Sequence, residues 1–174
     1  MLEVGIAWIS AAEVWSPRKI SSRHLIVEEH VDLRNGRYVA DNKENFNFGT
    51  SELVPMAALA GVIIQALEGI TAGCDRTYLI GHSIHHDVHW LEGLGIDLDR
   101  LALTTCDIGK AHQGKKGHLQ LTRLAAIMDH HGINQANLHN AANDAYYSLE
   151  VGLRMMEVED ELRYGELERD GLLL

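Results

Sequence analysis

Long apolar runs are missing from this sequence. No stretch approaches the roughly 18 consecutive apolar residues of a membrane span, so no membrane association is expected. The start, MLEVGIAWIS, has neither the basic region nor the long apolar run of a secretory signal. Cysteine is scarce. Cys74 and Cys106 are the only two, and neither stands in a CxxC or other metal-type spacing. Two free thiols suit a reducing compartment, which makes the chain intracellular, cytoplasmic or nuclear. Positive charge is also short. The formal net charge of -10 argues against a broad basic DNA-binding face. The imbalance is uneven, however. Residues 157–170 (EVEDELRYGELERD) hold seven acids and two arginines, whereas GKAHQGKKGH (109–118) is locally basic through Lys110, Lys115 and Lys116. A narrow, metal-assisted phosphate site therefore stays open. There is no internal repeat and no low-complexity segment.

What is present is 174 residues, 46% of them apolar, enough for one domain with a real core. We expect that domain over 1–157 and an acidic C-terminal tail over 158–174. LEVGIAWIS (2–10) and RHLIVEEH (23–30) read as strands. Residues 35–49 read as a polar loop. Thr50 or Ser51 then caps a helix with Pro55 in its first turn, running to about Ile70. RTYLIGH (76–82) is a short apolar run that suits a buried strand, and Ser83 can cap the helix after it. LALTTCD (101–107) is another strand. HLQLTRLAAIMDHHG (118–132) is an amphipathic helix. Asn140 can cap a last helix, and the tail after about Gly165 is expected to fray. This order predicts an α/β fold, with an antiparallel pair first and parallel strands later.

Two stretches carry the chemistry. In LIGHSIHHDVHWLEGLGI (79–96) a strand ends at Gly81, the chain turns, and Asp87 falls early in a helix. In LHNAANDAYYSLEVGL (138–153) His139 precedes a helix and Asp144 sits near its start. The spacing is His, four residues, Asp.

With these residues the chain resembles the DEDDh branch of 3′–5′ exonucleases, in the ribonuclease-H-like superfamily. That branch carries an early Asp-x-Glu on its first strand, a middle Asp at the start of a helix, and a final His-x4-Asp. Asp87 matches the middle motif; His139 and Asp144 match the last. EVGIAWIS, TTCDIGKAHQ and LTRLAAIMDHHGI also resemble family features, over roughly residues 2–157. Within the family the chain resembles a fungal branch of nuclease-like domains genetically linked to mRNA export. The resemblance implies a ribonuclease-H-like mixed sheet flanked by helices. It also implies metal-dependent phosphodiester hydrolysis of RNA or single-stranded DNA, with Asp87 and Asp144 as ligands of Mg²⁺ or Mn²⁺ and His139 as general base. The chemistry suits those residue types. Two divalent ions about 3.5–4 Å apart activate a water and stabilise the leaving oxygen. Such ions prefer carboxylate oxygens, and a histidine near its pKa takes the proton from the water.

The Asp-x-Glu motif should lie just before Leu2, where only Met1 stands. Glu3 matches a glutamate of the second strand that is not a metal ligand. Two ligands and the usual first central strand are thus expected to be lacking, and two apolar strands keep unpaired edges. A truncated gene model or fragment, a homodimer or partner chain completing the sheet, and a sheet closed differently are the three explanations; the first is the expectation. Activity should then be weak or lost.

Other readings stay beside this one. A catalytically inert module that binds nucleic acid or protein is the alternative from another class. Gly81-His82-Ser83-Ile84-His85 resembles a nucleophile elbow, which would make Ser83 an esterase nucleophile with Asp107 as its acid. His82, His85, His86 and His89 invite a zinc site, but no cysteine or third ligand follows at fixed spacing, and a polar helix face lining a cleft is the expected reading. Lys110, Lys115 and Lys116 either contact phosphates or lie in a solvated loop.

Overall fold

The computed structural model of the chain describes residues 2–14, 18–36, 39–116 and 122–169, without the side chains of 11, 114–116 and 158–169. The first two strands form where alternation and β-branched residues favour them. β1 (Glu3–Trp8) and β2 (Ser21–Val27) pair antiparallel, with Gly5 opposite His24 and Trp8 opposite Ser21. The chain then makes a short 3-10 turn at Glu28–His30, where a continuing strand was expected.

Residues 51–54 correct the reading above. They form β3 (Ser51–Val54), parallel to β2, rather than the start of a helix. The proline explains the difference. A residue before proline is pushed toward extended backbone, so Val54 ends a strand and Pro55 itself stands at the N-cap of α1 (Met56–Thr71). α1 lays Leu59, Ile63 and Leu67, one helical stripe, on Leu25, Val27 and Val54.

The second half is parallel. β4 (Thr77–Gly81) pairs with β5 (Leu103–Asp107), and α2 (His85–Gly93) lies between them in sequence. α3 (Ile108–Lys116) follows β5 directly, so residues 109–116 of the basic segment are helical rather than a loop. α4 spans Leu124–His130, shorter than expected; residues 117–121, where its start was placed, lie outside the described residues. α5 (Ala141–Arg169) is the longest helix and continues past Gly165. Its Tyr147, Val151 and Met155 pack with Ile108, Ile127, Met128 and Ile133 into a second core.

The architecture is an α/β fold with mixed strands flanked by helices, in a ribonuclease-H-like arrangement. Its strands form two pieces, β1-β2-β3 and β4-β5. Among the described residues no strand joins β1 to β4. α5 packs on both and links the pieces, with its N-terminal end against Gly5 of β1 and Gly152, further along, against Ile80 of β4.

Candidate functional site

The singled-out residues come from the helix after β4 and from the start of α5. Asp87 lies in the first turn of α2, just beyond β4. Asp144 lies in the first turn of α5. His139 precedes α5 in a left-handed conformation (φ +68°), and its backbone N–H donates to Asp144 Oδ1 at 3.2 Å. Desolvation pushes the Asp144 carboxyl up; the His139 N–H and the His139 charge oppose this, and the Glu3 charge reinforces it. Desolvation also pushes Asp87 up, against its own backbone N–H and the charges of His86, His85 and His82. Asp87 is exposed as a residue, so only part of its carboxyl is shielded. His82 acts on both carboxylates. His82 is the residue that follows β4.

Glu3 approaches the same place but is engaged. Its Oε2 lies 2.5 Å from His24 Nε2, and His24 Nδ1 lies 2.8 Å from Ser51 Oγ. His24 is fully buried. The glutamate, imidazole and hydroxyl thus tie β1, β2 and β3 together across one face.

Among the described residues, no three His, Cys, Asp or Glu side chains gather closely enough to hold a metal ion. Asp87 and Asp144 alone do not make a two-ion cage. The four histidines do not form a zinc site either. His85 and His89 instead line an open cavity of about 380 Å³ with Glu92, Asp107 and Lys110.

Ser83 is no helix cap. It has φ +58°, its N–H donates to Asp107 Oδ1 at 3.3 Å, and Ile84 takes the N-cap position without a side-chain bond. Asp107 Oδ1 also accepts from Gly109 and Lys110 N–H. That carboxylate holds the start of α3, and among the described residues no hydrogen bond joins Ser83 Oγ to an imidazole. Lys110 is exposed on α3; the side chains of Lys115 and Lys116 lie outside the described residues.

Sequence reading missed the asparagines around His139. Asn42, Asn45 and Asn47 face Asn137, Asn140 and Asn143 through hydrogen bonds between segments some ninety residues apart in sequence. The asparagines recur in the sequence at 134, 137, 140 and 143 and at 42, 45 and 47, but nothing local pairs the two sets.

A raised Asp144 pKa makes a stability prediction. The folded state holds this proton to higher pH than the unfolded chain does. Stability is therefore fully present below the unfolded pKa of about 3.9 and falls as pH rises through the folded value. At neutral pH the ionised carboxylate is a cost. Asp144→Asn keeps an oxygen for the His139 N–H and removes the charge. It should melt above the wild type at neutral pH, with the gap closing on acidification. Thermal melts across pH check this; a lower neutral melting temperature would show the carboxylate to be stabilising.

Mixed sheet, flanking helices and the His139–Asp144 pair together with Asp87 define the class: an exonuclease-like domain of the DEDDh type. The chain belongs to the family described as DNA polymerase III subunit epsilon-like, C-terminal domain, whose family model matches residues 1–155. Among curated proteins it is similar to two from Saccharomyces cerevisiae. One is the uncharacterized protein YDR514C, 29% identical over 88% of this chain and 37% of that protein. The other is Good for full DBP5 activity protein 2, 28% identical over 90% of this chain and 32% of that protein. The uncharacterized nucleolar protein C2C4.08 of Schizosaccharomyces pombe is 29% identical over 74% of this chain and 53% of that protein. The chain thus spans between a third and about half the length of these relatives. No helix of the described residues is long and apolar enough to cross a membrane.

Proposed function

We propose that this chain is a DEDDh-type 3′–5′ exonuclease domain that binds RNA or single-stranded DNA and hydrolyses it weakly or not at all by itself. The observation that carries this reading is the hydrogen bond from the His139 N–H to Asp144 Oδ1 at the N-terminal end of α5, in a chain whose Asp87 lies in the first turn of the helix after β4. His139, exposed and held by its backbone, takes the proton from an attacking water. Asp87 and Asp144 are the groups that a divalent cation, Mg²⁺ or Mn²⁺, would meet. With two carboxylates it would be held loosely, largely by substrate phosphates. Lys110, Lys115 and Lys116 are the proposed phosphate contacts on the α3 side. A second copy or partner chain placed between β1 and β4 would complete the sheet.

The test is a 3′-labelled single-stranded oligonucleotide incubated with the chain at low salt, with and without Mn²⁺. We expect binding that weakens steeply as salt rises, because phosphate contacts release counterions. Any laddering should be slow and should vanish in His139→Ala, a loss of at least about 100-fold in line with removal of a general base. Absence of binding at low salt removes the nucleic-acid reading. Fast laddering that survives His139→Ala removes the assigned base.

A further inference from the structure

Two non-glycine residues of the turn before α5 are left-handed, Asn137 at φ +54° and His139 at φ +68°. Such residues persist only where surrounding structure over-determines them. Here three consecutive carbonyls of the turn are each taken by a different asparagine amide. Asn47 Nδ2 donates to Ala136 O at 2.9 Å, Asn143 Nδ2 to Asn137 O at 3.0 Å, and Asn42 Nδ2 to Leu138 O at 2.7 Å. Asn137 Nδ2 answers by donating to Asn47 Oδ1 at 2.8 Å. The next residue is His139, whose own N–H is used by Asp144. Every backbone group from the Ala136 carbonyl to the His139 N–H that faces this network is thereby directed.

The pins come from outside the turn. Asn42 and Asn47 belong to the segment between β2 and β3. That segment is fixed in turn to α5: Asn47 N–H donates to Asn143 Oδ1 at 2.9 Å, and Asn143 Nδ2 donates to Asn45 O at 2.8 Å. Asn143 is fully buried, so its amide has no water as an alternative. Lys43, also buried, anchors the same segment from behind by donating to the carbonyls of His30, Val31 and Leu33.

We propose that Asn42, Asn47 and Asn143 are positioning residues for His139. They fold the segment between β2 and β3 against the turn, and they set the backbone from which the imidazole projects. The role rests on the reading of His139 as the general base. The geometric part stands without it: the two loops form one hydrogen-bonded unit, and the histidine is its product.

The test uses Asn42→Ala/Asn47→Ala in the full chain, with Asn42→Asp as a milder second variant. The aspartate keeps an oxygen for Asn45 Nδ2 and replaces the amide that donates to Leu138 O by a charged carboxylate oxygen facing that carbonyl. The imidazole signals of His139, assigned with His139→Gln, are recorded by NMR at one fixed pH, alongside amide exchange over 136–140 and thermal melts. The proposal expects displaced His139 signals in both variants and amide exchange over 136–140 roughly tenfold faster or more, with α1 amides unchanged. A merely structural role would lower the melting temperature and leave the His139 signals of the folded protein where they were; that result overturns the proposal. Should the double variant not fold, Asn42→Asp decides alone. A wild type that cleaves no oligonucleotide would sink the nuclease reading without touching this measurement, so the two failures are told apart.

Discussion

Gly5→Ala is expected to destabilise the fold by about 3 kcal/mol or more, at or above the top of the roughly 1–3 kcal/mol that overpacking usually costs, because only backbone can give way. Gly5 lies mid-strand in β1, opposite His24. A Cβ there would sit 2.1 Å from the Ala141 carbonyl oxygen, 2.2 Å from its carbon and 2.4 Å from Ala142 Cα. All three are backbone atoms, so no rotamer change relieves the overlap. The N-terminal end of α5 must lift off β1, and with it go Asp144 and the turn that carries His139. Gly5 has no positive φ among the described glycines, so the effect is one of space alone. The same chemical change at Gly61 supplies the contrast. That residue is exposed in the middle of α1 with nothing within 4 Å of a new Cβ. Gly61→Ala should stabilise by about 0.5–1 kcal/mol through helix propensity. Urea unfolding of the two variants reads both signs. A Gly5→Ala protein unfolding with the wild type would mean that α5 does not rest on β1.

The glycine also shows what kind of information the sequence carries. Gly5 reads as an ordinary residue of an apolar strand, because the atoms that forbid its replacement lie some 136 residues further along the chain. Local signals did better. The strand patterns of β1, β2, β4 and β5 are set by side-chain alternation or short apolar runs. The N-cap at Asn140 is set by a side chain that reaches only two or three residues ahead. β3 was hidden because four residues carry almost no period. Its extended form comes from the partner β2 and from Pro55 acting on Val54. α3 was hidden because two glycines in nine residues weaken the case for a helix. What secures it is tertiary: Ile108 in the core, and Asp107 accepting the first N–H groups.

The candidate site divides along the same line. Asp87, His139 and Asp144 could be picked out as candidates because each lies near the start of a helix and His139 and Asp144 are only five residues apart. How Glu3 is used could not be read this way. Its partner His24 is reached across the β1–β2 pair, diagonal to their register, and no local pattern announces it. The asparagine network is the extreme case. Its bonds join segments more than ninety residues apart, so a run such as NKENFNFG has the look of solvated loop until its partners are in view.

Asn140→Ala should cost about 3 kcal/mol, the second largest loss we expect, and its parts can be separated. Asn140 Oδ1 accepts from the N–H groups of Ala142 at 3.1 Å and Asn143 at 3.0 Å. Both residues are fully buried, so water cannot replace the cap. Loss of such a cap is worth about 0.5–2 kcal/mol. Asn140 Nδ2 donates to the carbonyls of Asn42 and Lys43, each at 3.1 Å. Leaving buried partners unpaired adds about 1–3 kcal/mol. Asn140→Ser keeps an N-cap oxygen and removes the two donors. Its unfolding free energy should therefore fall between those of the wild type and Asn140→Ala. The gap from alanine to serine then measures the cap, and the gap from serine to the wild type measures the tie between α5 and the segment that holds His139. Serine matching alanine would assign the whole loss to that tie. Serine matching the wild type would leave the segment bound to α5 by Asn143 and Asn47 alone, and the burial of Asn140 would serve the helix only.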